Sequence, residues 1–128
     1  MRPDIETRKD LEALLEDFYS VAMVDAEIGH HFDDLDLENH LPIIVDFWEK
    51  VLFSKPVYFG NPLTIHQRLN LKFPLEIAHF ARWIEIFGRS VDRLFAGKMA
   101  EAAKLRASAI ADSLSQRLNG GVGIQRAR

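Results

Sequence analysis

Apolar residues return along this chain at helical intervals. Leu11, Leu14, Leu15, Phe18 and Ala22 fall at i, i+3, i+4, i+7 and i+11, a spacing that predicts an amphipathic helix over residues 7–24. Thr7 and Asp10, three residues apart, are suited to cap its start. "DAEIGHHFDDLD" follows, with Gly29 and four aspartates, and reads as turns and short helical pieces. A second helix is expected over 38–54, with His40, Ile44, Phe47, Trp48, Val51 and Leu52 along one stripe. Pro42 falls near its first turn, where a missing amide is tolerated. "KPVYFGNP" then breaks the chain. Between Pro62 and Pro74, Leu63, His66 and Leu69 recur every third residue, enough for one or two helical turns. A long helix is expected from there to Phe95, with Ile77, Phe80, Ala81, Ile84, Phe87, Val91 and Leu94 inward. Gly97 separates it from a last helix over 98–118, carrying Met99, Ala103, Ile110, Leu114 and Leu118. No internal repeat and no strand-like alternation is present. The pattern predicts an all-α chain of four substantial helices and one short connecting piece, forming one domain with its core over about 7–118 and a flexible tail over 119–128.

Composition narrows what such a chain can do. Its 128 residues suit a single domain. With 48% hydrophobic and 27% charged residues it has the balance of a folded soluble protein rather than a disordered one. A net charge of −3 without a basic stripe argues against nucleic acid as a partner. The longest apolar run, "LPIIV", stops at Asp46, far short of a membrane span. The opening "MRPDIETRKDLE" is charged throughout and has no signal-peptide centre, so a bacterial, cytoplasmic location is expected. The absence of cysteine rules out disulfide scaffolds, thiol catalysis and cysteine-based metal sites.

The informative residues are polar groups on apolar stripes. Tyr19 follows Phe18 one turn after Leu15. His40 precedes Ile44 and Phe47 on their face, Trp83 sits between Phe80 and Phe87, and His66 shares a side with Leu63 and Leu69. Singly, each is best read as an ordinary core or surface residue with its polar tip satisfied. Together they supply three hydrogen-bond donors and a ring able to bind a metal. Zinc lacks its usual spacing here, with no His-Glu-x-x-His. "EIGH" and "EIAH" are two Glu-x-x-His motifs of the di-iron bundle type, but Gly29 interrupts the first and the second opens a helix rather than sitting in its middle. A serine hydrolase would need a nucleophile elbow that is absent. Haem fits these residues: it needs one strong axial nitrogen and a large apolar slot, and a backbone carbonyl can fix the tautomer of that histidine.

In order along the chain, Phe18-Tyr19, Phe32 after the turn, "H…DFW" at His40 and Phe47-Trp48, "YFGNPLTIHQRL" around His66 and "HFARWIEIF" around Trp83 resemble the third group of truncated haemoglobins. The resemblance spans residues 7–118. The glycine pairs typical of the other two groups, beside the early helices and before the histidine segment, are absent, and Gly120-Gly121 does not replace them. "GHHF" departs from relatives that carry less polar residues before the phenylalanine; His30 and His31 are expected to be exposed. The resemblance implies a two-over-two helical sandwich around haem b (iron protoporphyrin IX), with His66 as the proximal iron ligand. It implies a distal set of Tyr19, His40 and Trp83, Phe32 packed on the haem, and Ile44 and Phe18 walling the ligand pocket. Arg68 and Lys72, close to His66 in sequence, are the candidate propionate partners. Implied partners are the diatomic gases O2, NO and CO and a separate electron donor, in a monomer or weak homodimer. The implied activity is chemistry on the bound gas, either NO dioxygenation or a peroxidase-type reaction, rather than oxygen delivery. A reversible gas binder or sensor is the alternative, and a helical interaction module without cofactor is the plainest remaining one.

Overall fold

The N-terminal threonine and aspartate cap one another. Asp10 Oδ2 accepts from the Thr7 amide at 3.0 Å and the Thr7 side chain accepts from the Asp10 amide, so helix α1 (Arg8–Ala22) starts from a reciprocal capping box. In the computed structural model, which describes residues 2–58 and 60–119, this helix is followed by a single 3-10 turn (Gly29–Phe32) and then α2 (Leu37–Phe53), α3 (Pro62–Lys72), α4 (Ile77–Leu94) and α5 (Lys98–Leu118). No strand occurs among the described residues, so the all-α expectation holds. The tail expected at 119–128 lies outside the described residues from 120 onward.

α1 packs on α2 and α4 packs on α5; the two pairs meet through α1 against α4 and α2 against α5. This is a two-over-two sandwich. α3 stands apart and touches α5. The predicted stripe of α1 is inside, with Leu11, Leu14, Leu15, Phe18 and Ala22 no more than 2% exposed. Burying a side chain such as Phe18 contributes about 1.5–3 kcal/mol. Phe87, stacked on Trp48 at 4.9 Å and on Trp83 at 5.3 Å, ties α4 to α2. No helix among the described residues is long and apolar enough to cross a membrane.

Three expectations need correction. Pro42 is the sixth residue of α2, in its second turn rather than its first. α2 begins at Leu37, capped by the Asp36 side chain, and the helix continues although the Glu38 carbonyl loses its i+4 donor. The segment around His66 is not one or two turns but an 11-residue helix. Asn61 Oδ1 accepts from the amides of Leu63 and Thr64, and Pro62 occupies the first helical position, where its fixed φ favours helix. Ala81, expected inward on α4, is exposed, whereas Ile86 and Ser90 are buried. α4 faces α1, α5 and the site below at once, which one stripe cannot describe.

The packed structure also begins before residue 7. Ile5 is 1% exposed in the core. Asp4 reaches the start of α5, where Oδ1 accepts from the Ala100 amide at 2.8 Å and Oδ2 from the Met99 amide at 3.0 Å. Gly97 (φ 137°) leaves room for that carboxylate, since a Cβ there would come within 2.5 Å of Asp4 Cγ. Burial alone would raise the Asp4 pKa, but bonds from Met99, Ile5 and Ala100 together hold it below 3.8. Asp4→Ala is expected to cost about 1 kcal/mol at neutral pH, the usual loss of a helix cap, measured by urea unfolding. Because the folded-state pKa is depressed, this advantage is fully present above the unfolded value and disappears as pH falls through the folded one. A difference between wild type and variant that persists unchanged below that range would refute the capping role.

Candidate functional site

His66 projects from the middle of α3. The Pro62 carbonyl, four residues earlier, accepts from His66 Nδ1 at 2.7 Å. A carbonyl cannot donate, so the ring carries its proton on Nδ1 and keeps the Nε2 lone pair free. Burial pushes the His66 pKa down against the opposing pull of that carbonyl, which keeps the imidazole neutral near pH 7. His66 is half-buried and no residue of α3 is fully buried. Its apolar side chains Ile65 and Leu69, with His66, instead line a cavity of about 430 Å3 enclosed by α1, α2, α4 and α5. That size is typical of small-molecule and cofactor sites.

The other walls are mostly apolar: Phe32, Ile44, Phe47, Trp48, Phe80 and Leu114. Tyr19 from α1, His40 from α2 and Trp83 from α4 face the same cavity. Among the described residues none of their three side-chain polar groups has a hydrogen-bond partner, while no fully buried side-chain nitrogen or oxygen is left unsatisfied. These groups therefore open onto the cavity. Burial pushes the Tyr19 pKa up, so the phenol keeps its proton and can donate. Its ring is held edge-on by Phe18 at 5.0 Å and Phe32 at 5.6 Å. His40 is exposed as a whole and stands at the mouth. A second, more open cleft of about 530 Å3 between α2, α3 and α5 contains no histidine, tyrosine or tryptophan.

The remaining sequence candidates fall elsewhere. Phe18 is buried behind the cavity and braces Tyr19 and Trp83 from beneath, at 5.0 and 5.7 Å between ring centres, instead of lining it. Arg68 is exposed and Lys72 is ion-paired with Asp34; neither lines the cavity, although Asp34 does. Sequence reasoning missed Tyr58, buried and lining the cavity against Phe47. Gly60 is the signal for it: a Cβ there would meet the Tyr58 hydroxyl at 2.6 Å. His31 was expected to be exposed and is buried, because the 3-10 turn folds it under the α3–α4 connection, where Nε2 lies 3.0 Å from the Pro74 carbonyl. Asp25 lies in the stretch that reads as turns. It receives Arg82 Nε and Nη2 at 3.1 and 2.7 Å and the amides of Glu27 and Ile28, locking the loop above the cavity to α4.

No protein-family model and no curated protein matches the chain. A solved structure does: the crystal structure of a group III truncated haemoglobin from Campylobacter jejuni, with a TM-score of 0.84 and 25% sequence identity, covering 96% of this chain and 99% of that one. The chain therefore has the truncated-haemoglobin fold, and the group it resembles in sequence is the group it matches in structure.

Proposed function

We propose that the cavity holds haem b, that His66 Nε2 would be the nitrogen that ligates its iron, and that the protein binds O2, NO and CO beside the polar groups of Tyr19, His40 and Trp83. One observation carries the reading. One apolar cavity contains a histidine with its tautomer fixed by Pro62 and three polar groups, on Tyr19, His40 and Trp83, with no hydrogen-bond partner among the described residues. The lining suits the group: aromatic and aliphatic walls, and on α3 one imidazole with a free Nε2 and no carboxylate beside it. Haem supplies gas binding and redox chemistry at its iron. The chain's own residues do the rest. Phe32 and Ile44 exclude water, Pro62 orients His66, and Tyr19 and Trp83 present O–H and N–H donors to a gas in the cavity.

Donors that strengthen the hold on polarised oxygen suit chemistry on the gas better than its delivery. The reading is therefore a redox protein acting on O2 with NO, or on peroxide, served in the cytoplasm by a separate electron donor. The test has two stages. Hemin added to the purified chain should bind one to one with the spectrum of a histidine-ligated haem; colourless, hemin-refusing folded protein would sink the proposal. The oxygenated form is then mixed with NO and a reductant. Repeated turnover supports the enzyme, and an inert or once-only reaction supports a reversible binder or sensor. His40→Leu is expected to change the rate of gas access more than hemin affinity, since His40 stands at the mouth; flash photolysis of the CO form checks this.

A further inference from the structure

The two Glu-x-x-His motifs of the sequence are not used by the cavity's proposed chemistry, yet the fold joins their histidines. His30 and His31 come from the 3-10 turn, and His79 from the first turn of α4. Ring centres lie 4.0 Å apart for His30–His31, 4.6 Å for His31–His79 and 5.8 Å for His30–His79. One ligand nitrogen from each lies within 4.8 Å of the others. His31 is buried, His79 half-buried and His30 exposed.

We propose that this cluster is a mononuclear site for a zinc-class divalent metal, held by three imidazoles with a fourth position open to water. Three nitrogen donors without a carboxylate favour zinc, copper or nickel over magnesium or calcium. Nitrogen ligands of tetrahedral zinc stand roughly 3.3 Å apart, so the cluster must contract, and exposed His30 supplies the movement. His31 is prepared for it. Its Nδ1 lies 3.3 Å from the Ile28 carbonyl and its Nε2 3.0 Å from the Pro74 carbonyl. A neutral ring has one proton, so whichever nitrogen takes the metal, the other can donate to a carbonyl and fix the ring. His79 Nδ1 accepts from the Glu76 amide at 3.0 Å; an amide cannot accept in return, so metal binding gives up that bond whichever ring nitrogen takes the metal. His31 and His79 also line the main cavity, so the metal would fasten the 3-10 turn to α4 at the cavity's edge.

The site does not depend on haem, and zinc chloride alone, titrated into the full chain in a calorimeter, tests it with or without hemin. Saturation at one zinc per chain is expected, with His30→Ala and His79→Gln each weakening it at least about tenfold. His79→Gln removes an α4 capping contact, but His30 is exposed and makes no such contact, so His30→Ala keeps its helix content and carries the test alone if needed. Copper(II) in place of zinc should show nitrogen couplings in its paramagnetic resonance. Absence of saturable binding, or equal affinity in wild type and His30→Ala, overturns the proposal.

Discussion

His66→Ala is expected to strip the protein of stably held hemin, lowering retention by more than ~100-fold. The scale follows from metal sites in general: losing a residue that only orients a ligand costs roughly 10–100-fold in affinity, and His66 is proposed as the ligand itself. The fold should survive. His66 lies on a helix with no buried residue, outside the packed pairs α1–α2 and α4–α5. Far-ultraviolet circular dichroism should therefore match wild type while the haem absorption is lost on gel filtration. Imidazole added to the variant should restore the wild-type spectrum, because the cavity keeps its apolar walls and gains room where the side chain was. A variant that keeps hemin with an unchanged spectrum would put the axial ligand elsewhere, and the proposed function would fail with it.

How far the sequence anticipates this site depends on which forces act locally. α1 and α5 were legible almost to the residue, because each has one buried face and a clear boundary: Thr7 before Arg8, Gly97 before Lys98. His66 was legible because Pro62 fixes both the helix start and the carbonyl that orients the ring. Tyr19, His40 and Trp83 could be picked out as polar breaks in apolar stripes, and the fold brings them to one cavity. What stayed hidden depends on contacts between distant segments. Asp4 caps a helix that begins some 95 residues later. His31 reads as a surface residue in "GHHF" until the Pro74 carbonyl, 43 residues away, covers it. The demotion of Phe18 from wall to brace turns on which face of α1 meets α4, and period alone puts Phe18 and Tyr19 side by side. Arg68 and Lys72 lie near His66 in sequence, but successive residues on α3 point different ways around its axis, and Lys72 turns to Asp34.

Tyr19→Phe is expected to leave hemin binding intact and to speed oxygen release by about 10- to 100-fold. A hydrogen bond to a charged or strongly polarised acceptor is worth about 1.5–3 kcal/mol, and each 1.4 kcal/mol is about a factor of ten. The substitution isolates the hydroxyl because the ring's place is set by others: Phe18 and Phe32 meet it edge-on at interplanar angles of 77° and 89°, and phenylalanine can fill the same space. Carbon monoxide, less polarised when bound, should show a smaller change, and the ratio of the two effects separates loss of a donor from a general loosening of the cavity. The pH profile adds a second check. Tyr19 is buried and its pKa is pushed well above 10, so oxygen release from the wild type should not accelerate as pH rises through 10, where an ordinary phenol would lose the proton it donates. If stopped-flow displacement of O2 shows the same rate in wild type and Tyr19→Phe, Tyr19 leaves the donor set. Trp83, whose ring is held by its stacking on Phe87, is then tested by the matching Trp83→Phe exchange. Equal rates in both variants would remove the polar distal face on which the case for chemistry over delivery depends.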